Sequence, residues 1–146
     1  MGFSVNSSIC SAIAVLLFAL GCSSEESGPA CFPVRGEVRL DGEPLGEAMI
    51  LFHPVDKNSP TAVKPLANSD LDGRFEMTTF QRHDGAPPGE YAITVELRAL
   101  RPDGDEMIRD GRNLLPGHYR DPARSGFKFM VKNEPNEVPV INLQSK

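Results

Sequence analysis

The chain has 146 residues, with 15 Lys and Arg against 20 Asp and Glu, for a net charge of -5. That balance excludes nucleic acid as a partner, because its phosphates would repel an acidic domain, and any membrane attachment is expected from acyl chains and not from a basic patch. Three cysteines without a Cys-x-x-Cys pair exclude a structural zinc site of that type.

The first informative stretch is Ile13-Ala14-Val15-Leu16-Leu17-Phe18-Ala19-Leu20-Gly21-Cys22, followed by Ser23-Ser24-Glu25-Glu26. An apolar run of about a dozen residues is short for a permanent membrane span and has the length of a signal-peptide core. Ala19-Leu20-Gly21 before Cys22 resembles the lipobox of bacterial lipoproteins. The resemblance implies removal of residues 1–21 and a lipid on the sulfur of Cys22, which becomes the first residue of the mature protein. The other readings of the run are an ordinary cleaved signal peptide and an uncleaved anchor. Ser23 after Cys22 implies outer-membrane delivery by the sorting rule of Gram-negative lipoproteins. Cys10 lies in the removed segment, so Cys31 is left as a lone thiol; without lipidation, a Cys22–Cys31 bridge is open to it.

Residues 22–32 are small, polar and acidic and read as a flexible tether, and residues 33–146 as one domain. Val34–Leu40 alternates apolar or small with charged residues, the period of a half-buried strand, and Asp41-Gly42 marks a tight turn. Ala48–Pro54 is a second strand closed by its proline, Val55–Lys64 a loop, and Pro65–Ser69 a short third strand. Asp70–Gly73 turns into a strand over Arg74–Thr78. The Pro/Gly-rich connection Gln81–Gly89 leads to the clearest strand, Glu90–Leu97, with Tyr91, Ile93, Val95 and Leu97 on one face. Arg98–Arg112 reads as a long exposed loop, and Leu114–Pro122 as a stretch with a helical turn. Phe127–Val131 and Val138–Leu143 are the last strands, joined by Asn133–Asn136. Seven strands without a long helix predict an all-β, seven-stranded antiparallel β-sandwich.

Three motifs in order carry a wider resemblance. Val34–Ala48, with Asp41-Gly42-Glu43-Pro44-Leu45 at its centre, is similar to the opening of carboxypeptidase regulatory-like, or transthyretin-like, domains. Asp70-Leu71-Asp72-Gly73-Arg74-Phe75 resembles the family's Asp-x-x-Gly-x-Phe hairpin, and Pro88-Gly89-Glu90-Tyr91-Ala92-Ile93-Thr94-Val95 its Pro-Gly-x-Tyr strand. Leu115-Pro116-Gly117-His118-Tyr119 resembles a feature of small lipoproteins of planctomycete-type bacteria. The resemblance implies a transthyretin-like sandwich in the cell envelope and no established activity.

No cofactor, metal site or catalytic residue is expected. His53, His83 and His118 have neither the i, i+4 nor the His-x-His spacing of a zinc site. Asp70, Asp72 and Gly73 resemble part of a calcium loop but lack its later ligands, so a turn accounts for them better. Ser125 has no nucleophile-elbow setting. The related hydroxyisourate hydrolases end in Tyr-Arg-Gly-Ser, which Tyr119-Arg120-Asp121-Pro122 half matches; that small hydrolase and a carbohydrate-binding module are the alternative readings. The candidate contact patch is His118, Tyr119 and Arg120. Against it stands a Tyr119 that packs over the open end of the sandwich with its hydroxyl on a backbone partner. The expected role is structural or binding, toward an envelope protein or a glycan, from a lipid-anchored position on a bacterial membrane.

Overall fold

The computed structural model describes residue 2, residues 28–59 and residues 62–146. The apolar N-terminal run and Cys22 lie outside the described residues. Among those described, no helix is long and apolar enough to cross a membrane.

Among the described residues, eleven short strands form two sheets and a separate hairpin. The first sheet is built around β1 (Val34–Leu40). Its N-terminal half pairs antiparallel with β5 (Arg74–Glu76), and its C-terminal end with β2 (Glu43–Pro44). On its other side lie β10 (Asn136–Glu137) and β11 (Ile141–Leu143), both parallel to β1. The second sheet has the order β4–β3–β6–β9, from β3 (Met49–Pro54), β4 (Leu66–Asn68), β6 (Gly89–Glu96) and β9 (Phe127–Val131), and is antiparallel throughout.

Two expectations are corrected. The architecture is all-β and sandwich-like, but the first sheet is mixed, because the chain leaves β9 and runs along β1 in the same direction. Pro139, which has no N–H to give to a ladder, divides that lane into β10 and β11. The loop expected over Arg98–Arg112 contains a hairpin, β7 (Arg101–Asp103) and β8 (Glu106–Ile108), turned at Gly104 and supported by an Arg101–Asp110 ion pair.

The core follows from alternation. Val34 and Val38 point inward from β1, Ile50 and Phe52 from β3, and Tyr91, Ile93 and Val95 from β6, all at 2 % exposure or less. Gly36 occupies the inward position between the two valines. A Cβ there would lie 2.5 Å from the Phe75 ring, which covers the glycine from the cross-strand position. Phe52 and Tyr91 rings meet at 5.5 Å, and the Tyr91 hydroxyl donates to the Pro87 carbonyl at 2.9 Å. Burial pushes the Tyr91 phenol up to about 12, so it stays a neutral donor.

The turns carry their own chemistry. Asp41 and Gly42 both have positive φ, as the tight turn between β1 and β2 requires. Asp70 accepts from the amides of Asp72 and Arg74, both at 2.9 Å, which holds the turn into β5. Asp84 gathers the amides of Thr79, Phe80 and Gln81 at 2.7, 3.0 and 3.0 Å. Burial raises this carboxyl, but the amide donors outweigh it and hold it below the usual carboxylate range.

Candidate functional site

The predicted patch falls on a 3-10 turn, Gly117–Arg120. Its three residues go to different surroundings. Tyr119 is 8 % exposed, stacks on Phe127 at 6.0 Å and accepts from the backbone N–H of Gln144 at 2.9 Å. It therefore ties β9 to the end of β11 and closes that side of the sandwich. The His118 ring is half-buried against Tyr119, with centroids 3.9 Å apart, and Arg120 is exposed. Among the described residues, no hydrogen bond or ion pair joins Arg120 to either neighbour.

Cys31 is half-buried, and burial raises its thiol above the ordinary value, so it is held as the protonated thiol at neutral pH. Among the described residues there is no cluster of three or more His, Cys, Asp or Glu able to hold a metal ion.

Clefts among the described residues offer places for a ligand, and charge separates them; a small one of about 230 Å³ has Asp56 and Glu90 and no cation in its lining. One, of about 440 Å³, lies on the first sheet beside Arg35, Glu37, Arg74 and Glu76; there Arg35 is paired with Glu76 at 3.0 Å. A second, of about 420 Å³, holds Glu47, Glu96, Arg98 and Arg109, and its arginines are taken by Glu96 and Glu47. The second is balanced, two arginines against two glutamates, and the first has Glu37, Glu76 and Glu137 against two arginines.

The third is a groove of about 830 Å³ across the outer face of the second sheet. Its floor follows from register. His53 on β3 lies directly opposite Ala92 on β6, and Ala92 opposite Lys128 on β9, so the three form a row across the sheet. Ala92 is the small member of the row and leaves the depression. Lys57 and Lys64 enter from the loop between β3 and β4, and Pro122 and Ala123 form the opposite wall. Three lysines line the groove and no carboxylate does. Lys57 and Lys64 make no ion pair among the described residues, and Lys128 has only Glu90, at 3.9 Å. The nearby Asp56 is turned into its own loop, accepting from the Asn58 amide at 3.0 Å.

His53 is the one other titratable group in the groove. Its Nε2 is 2.9 Å from the Thr94 hydroxyl. Burial, then Lys64 and Lys57, hold its pKa below the ordinary histidine value, so the ring is neutral at pH 7. It offers a hydrogen-bonding ring between cations, over a floor of alanine and proline. The volume falls in the usual range of small-molecule sites, about 300–1,000 Å³.

Sequence reasoning placed His53 at a strand end and Lys128 within a strand but did not join them. The signal was the period-2 pattern itself: with Phe52, Tyr91 and Phe129 turned one way, His53, Ala92 and Lys128 must face the other. The pairing of β3 with β6 and of β6 with β9 was needed to align them.

No protein-family model matches the chain. No curated protein matches it either. Among solved structures, a candidate carbohydrate-binding protein from Pseudomonas aeruginosa superposes with a TM-score of 0.45 at 14% identity, over 79% of this chain and 90% of that one. A 9R-lipoxygenase from Cyanothece gives 0.45 at 13% identity over 78% of this chain, which spans 16% of the enzyme. A DUF3823 family protein from Parabacteroides merdae gives 0.37 at 15% identity, over 80% of this chain and 46% of that protein. All three scores lie below 0.5, a likeness too remote to carry function.

Proposed function

We propose that this chain is a non-enzymatic binding module of a bacterial envelope, held to the membrane by lipid on Cys22, with an oligosaccharide seated in the groove over β3, β6 and β9. The observation that carries the reading is the groove itself: about 830 Å³, walled on two sides, with three lysines and no carboxylate in its lining. A walled groove with a small-residue floor admits a slender chain and excludes a flat protein surface. No carboxylate stands beside His53 to orient it as a base, and its Nε2 is taken by the Thr94 hydroxyl, which supports binding over catalysis.

The transthyretin-like relationship belongs to the same proposal. Its support is that Asp41-Gly42, Asp70–Gly73 and Pro88-Gly89 fall on the β1–β2 turn, the turn into β5 and the start of β6. The envelope address rests on the lipobox resemblance and on Ser23 as the residue after Cys22. The intact mass of the N-terminal peptide from native membrane is expected to show residues 1–21 removed and a diacylglyceryl adduct on Cys22. Cleavage without lipid, or an intact Met1, would contradict the anchor.

The binding reading is tested by calorimetric titration of the chain with a panel of neutral and acidic oligosaccharides. At least one class is expected to bind. Silence across the whole panel would remove the glycan as ligand.

A further inference from the structure

This inference rests on the oligosaccharide reading and names the ligand class. We propose that the groove takes a polyanionic saccharide, one carrying a carboxylate or sulfate on successive sugars, held by Lys57, Lys64 and Lys128.

The charge distribution carries the argument. The chain as a whole is at -5, yet the groove collects three lysines and no lining carboxylate. Like charges brought together on an otherwise acidic surface repel each other, and counter-charge from the protein would relieve that repulsion. Two of the lysines receive none among the described residues, and the third only the distant Glu90. In the two clefts of half the volume, Arg35, Arg98 and Arg109 are paired, and Arg74 shares its cleft with Glu37, Glu76 and Glu137. The groove is thus the place where an incoming anion meets charge that is not already satisfied.

The spread of the lysines sets the shape of the ligand. They come from two elements: Lys57 and Lys64 from the two ends of the β3–β4 loop, and Lys128 from β9. Strands in a sheet lie about 4.8 Å apart, so β3 and β9, two positions apart, put His53 and Lys128 roughly 10 Å from each other. Charges repeated along a chain match that spread, with each ammonium group meeting its own anion. Neutral sugars are commonly gripped by stacking on aromatic rings, and no Phe or Tyr lines this groove. What the lining offers is point charge from ammonium groups, plus a neutral imidazole that can hydrogen-bond a sugar hydroxyl between them.

The experiment titrates the detergent-solubilised full chain with a hexamer of galacturonate, its methyl ester, a sulfated dextran oligosaccharide and a hexaglutamate peptide, at ~0.05 and ~0.5 M salt. The galacturonate or the sulfated sugar is expected to bind and to weaken with salt; which of the two binds tighter tells carboxylate from sulfate. Lys57→Ala, Lys64→Ala and Lys128→Ala are each expected to weaken binding about two- to five-fold, and the triple variant about 10- to 100-fold, as for exposed ion pairs. All three side chains are exposed, so the fold should survive, which far-UV circular dichroism checks. Equal binding of the methyl ester would overturn the anionic class while leaving the oligosaccharide reading in place. Tighter binding of hexaglutamate than of either acidic sugar would make the partner an acidic protein segment. No binding by any sugar would remove the oligosaccharide reading itself.

Discussion

Replacing Gly85 by Ala is expected to cost about 3–4 kcal/mol and lower the melting temperature by roughly 10–20 °C. Gly85 has φ +91, and a Cβ there would lie 1.8 Å from the carbonyl oxygen of Phe32. Two terms add. An L side chain at positive φ is strained by about 1–2 kcal/mol. The steric overlap involves backbone, which no rotamer change relieves, so Phe32 must move away. That breaks the reciprocal pair in which Phe32 N donates to Ala86 O at 2.9 Å and Ala86 N to Phe32 O at 3.0 Å, about 1 kcal/mol each. The control is Gly42→Ala, also at positive φ (+88) but with nothing within 4 Å, where only the conformational term of about 1 kcal/mol is expected. Thermal melts of both variants separate the two terms. Equal losses would show that the Phe32 contact does not hold the first strand's entry.

Tyr119 gives the second large effect. Tyr119→Ala removes a nearly buried ring from between β9 and β11 and is expected to cost about 3–5 kcal/mol. Tyr119→Phe keeps the ring and removes only the acceptor for Gln144 N, for about 1 kcal/mol. Amide exchange reads the difference locally. In Tyr119→Phe the Gln144 amide should lose protection while the Ile93 and Val95 amides keep theirs. Unchanged protection at Gln144 would mean that the hydroxyl does not secure the C-terminal strand.

How much of this was legible in the sequence depended on how local the cause was. Val34–Leu40 and Phe127–Val131 form strands over the same residues that their alternation predicts, because one face of each packs on the core. Tyr91 and Ile93 read as core for the same reason. The β7–β8 hairpin was missed because Arg101, Pro102, Asp103, Glu106 and Met107 are all exposed, and with neither face buried the pattern has no period. The parallel lane was missed because parallel pairing is decided by a distant crossover, and Asn136–Glu137 is too short to carry a pattern.

The groove was hidden more deeply. Net charge averages over the chain, and an acidic total concealed a local run of cations contributed by residues 57, 64 and 128. No motif links them; only the register of three strands and the return of one loop do. Tyr119, by contrast, stood out as a loop aromatic beside His118 and Arg120. Burial and a backbone partner account for its position.

The most direct test of the groove as the binding seat is to fill it. Ala92 lies between His53 and Lys128 on the outer face and is 7 % exposed, so Ala92→Trp pushes these neighbours apart to place its indole above the floor. Ala123→Trp, on the exposed wall, serves the same purpose should the first variant disturb the sheet. With the amide spectrum otherwise preserved, calorimetry is expected to show the oligosaccharide bound by the unaltered chain lost at least tenfold in both variants. Binding of unchanged strength in two folded variants would place the ligand elsewhere and contradict the account.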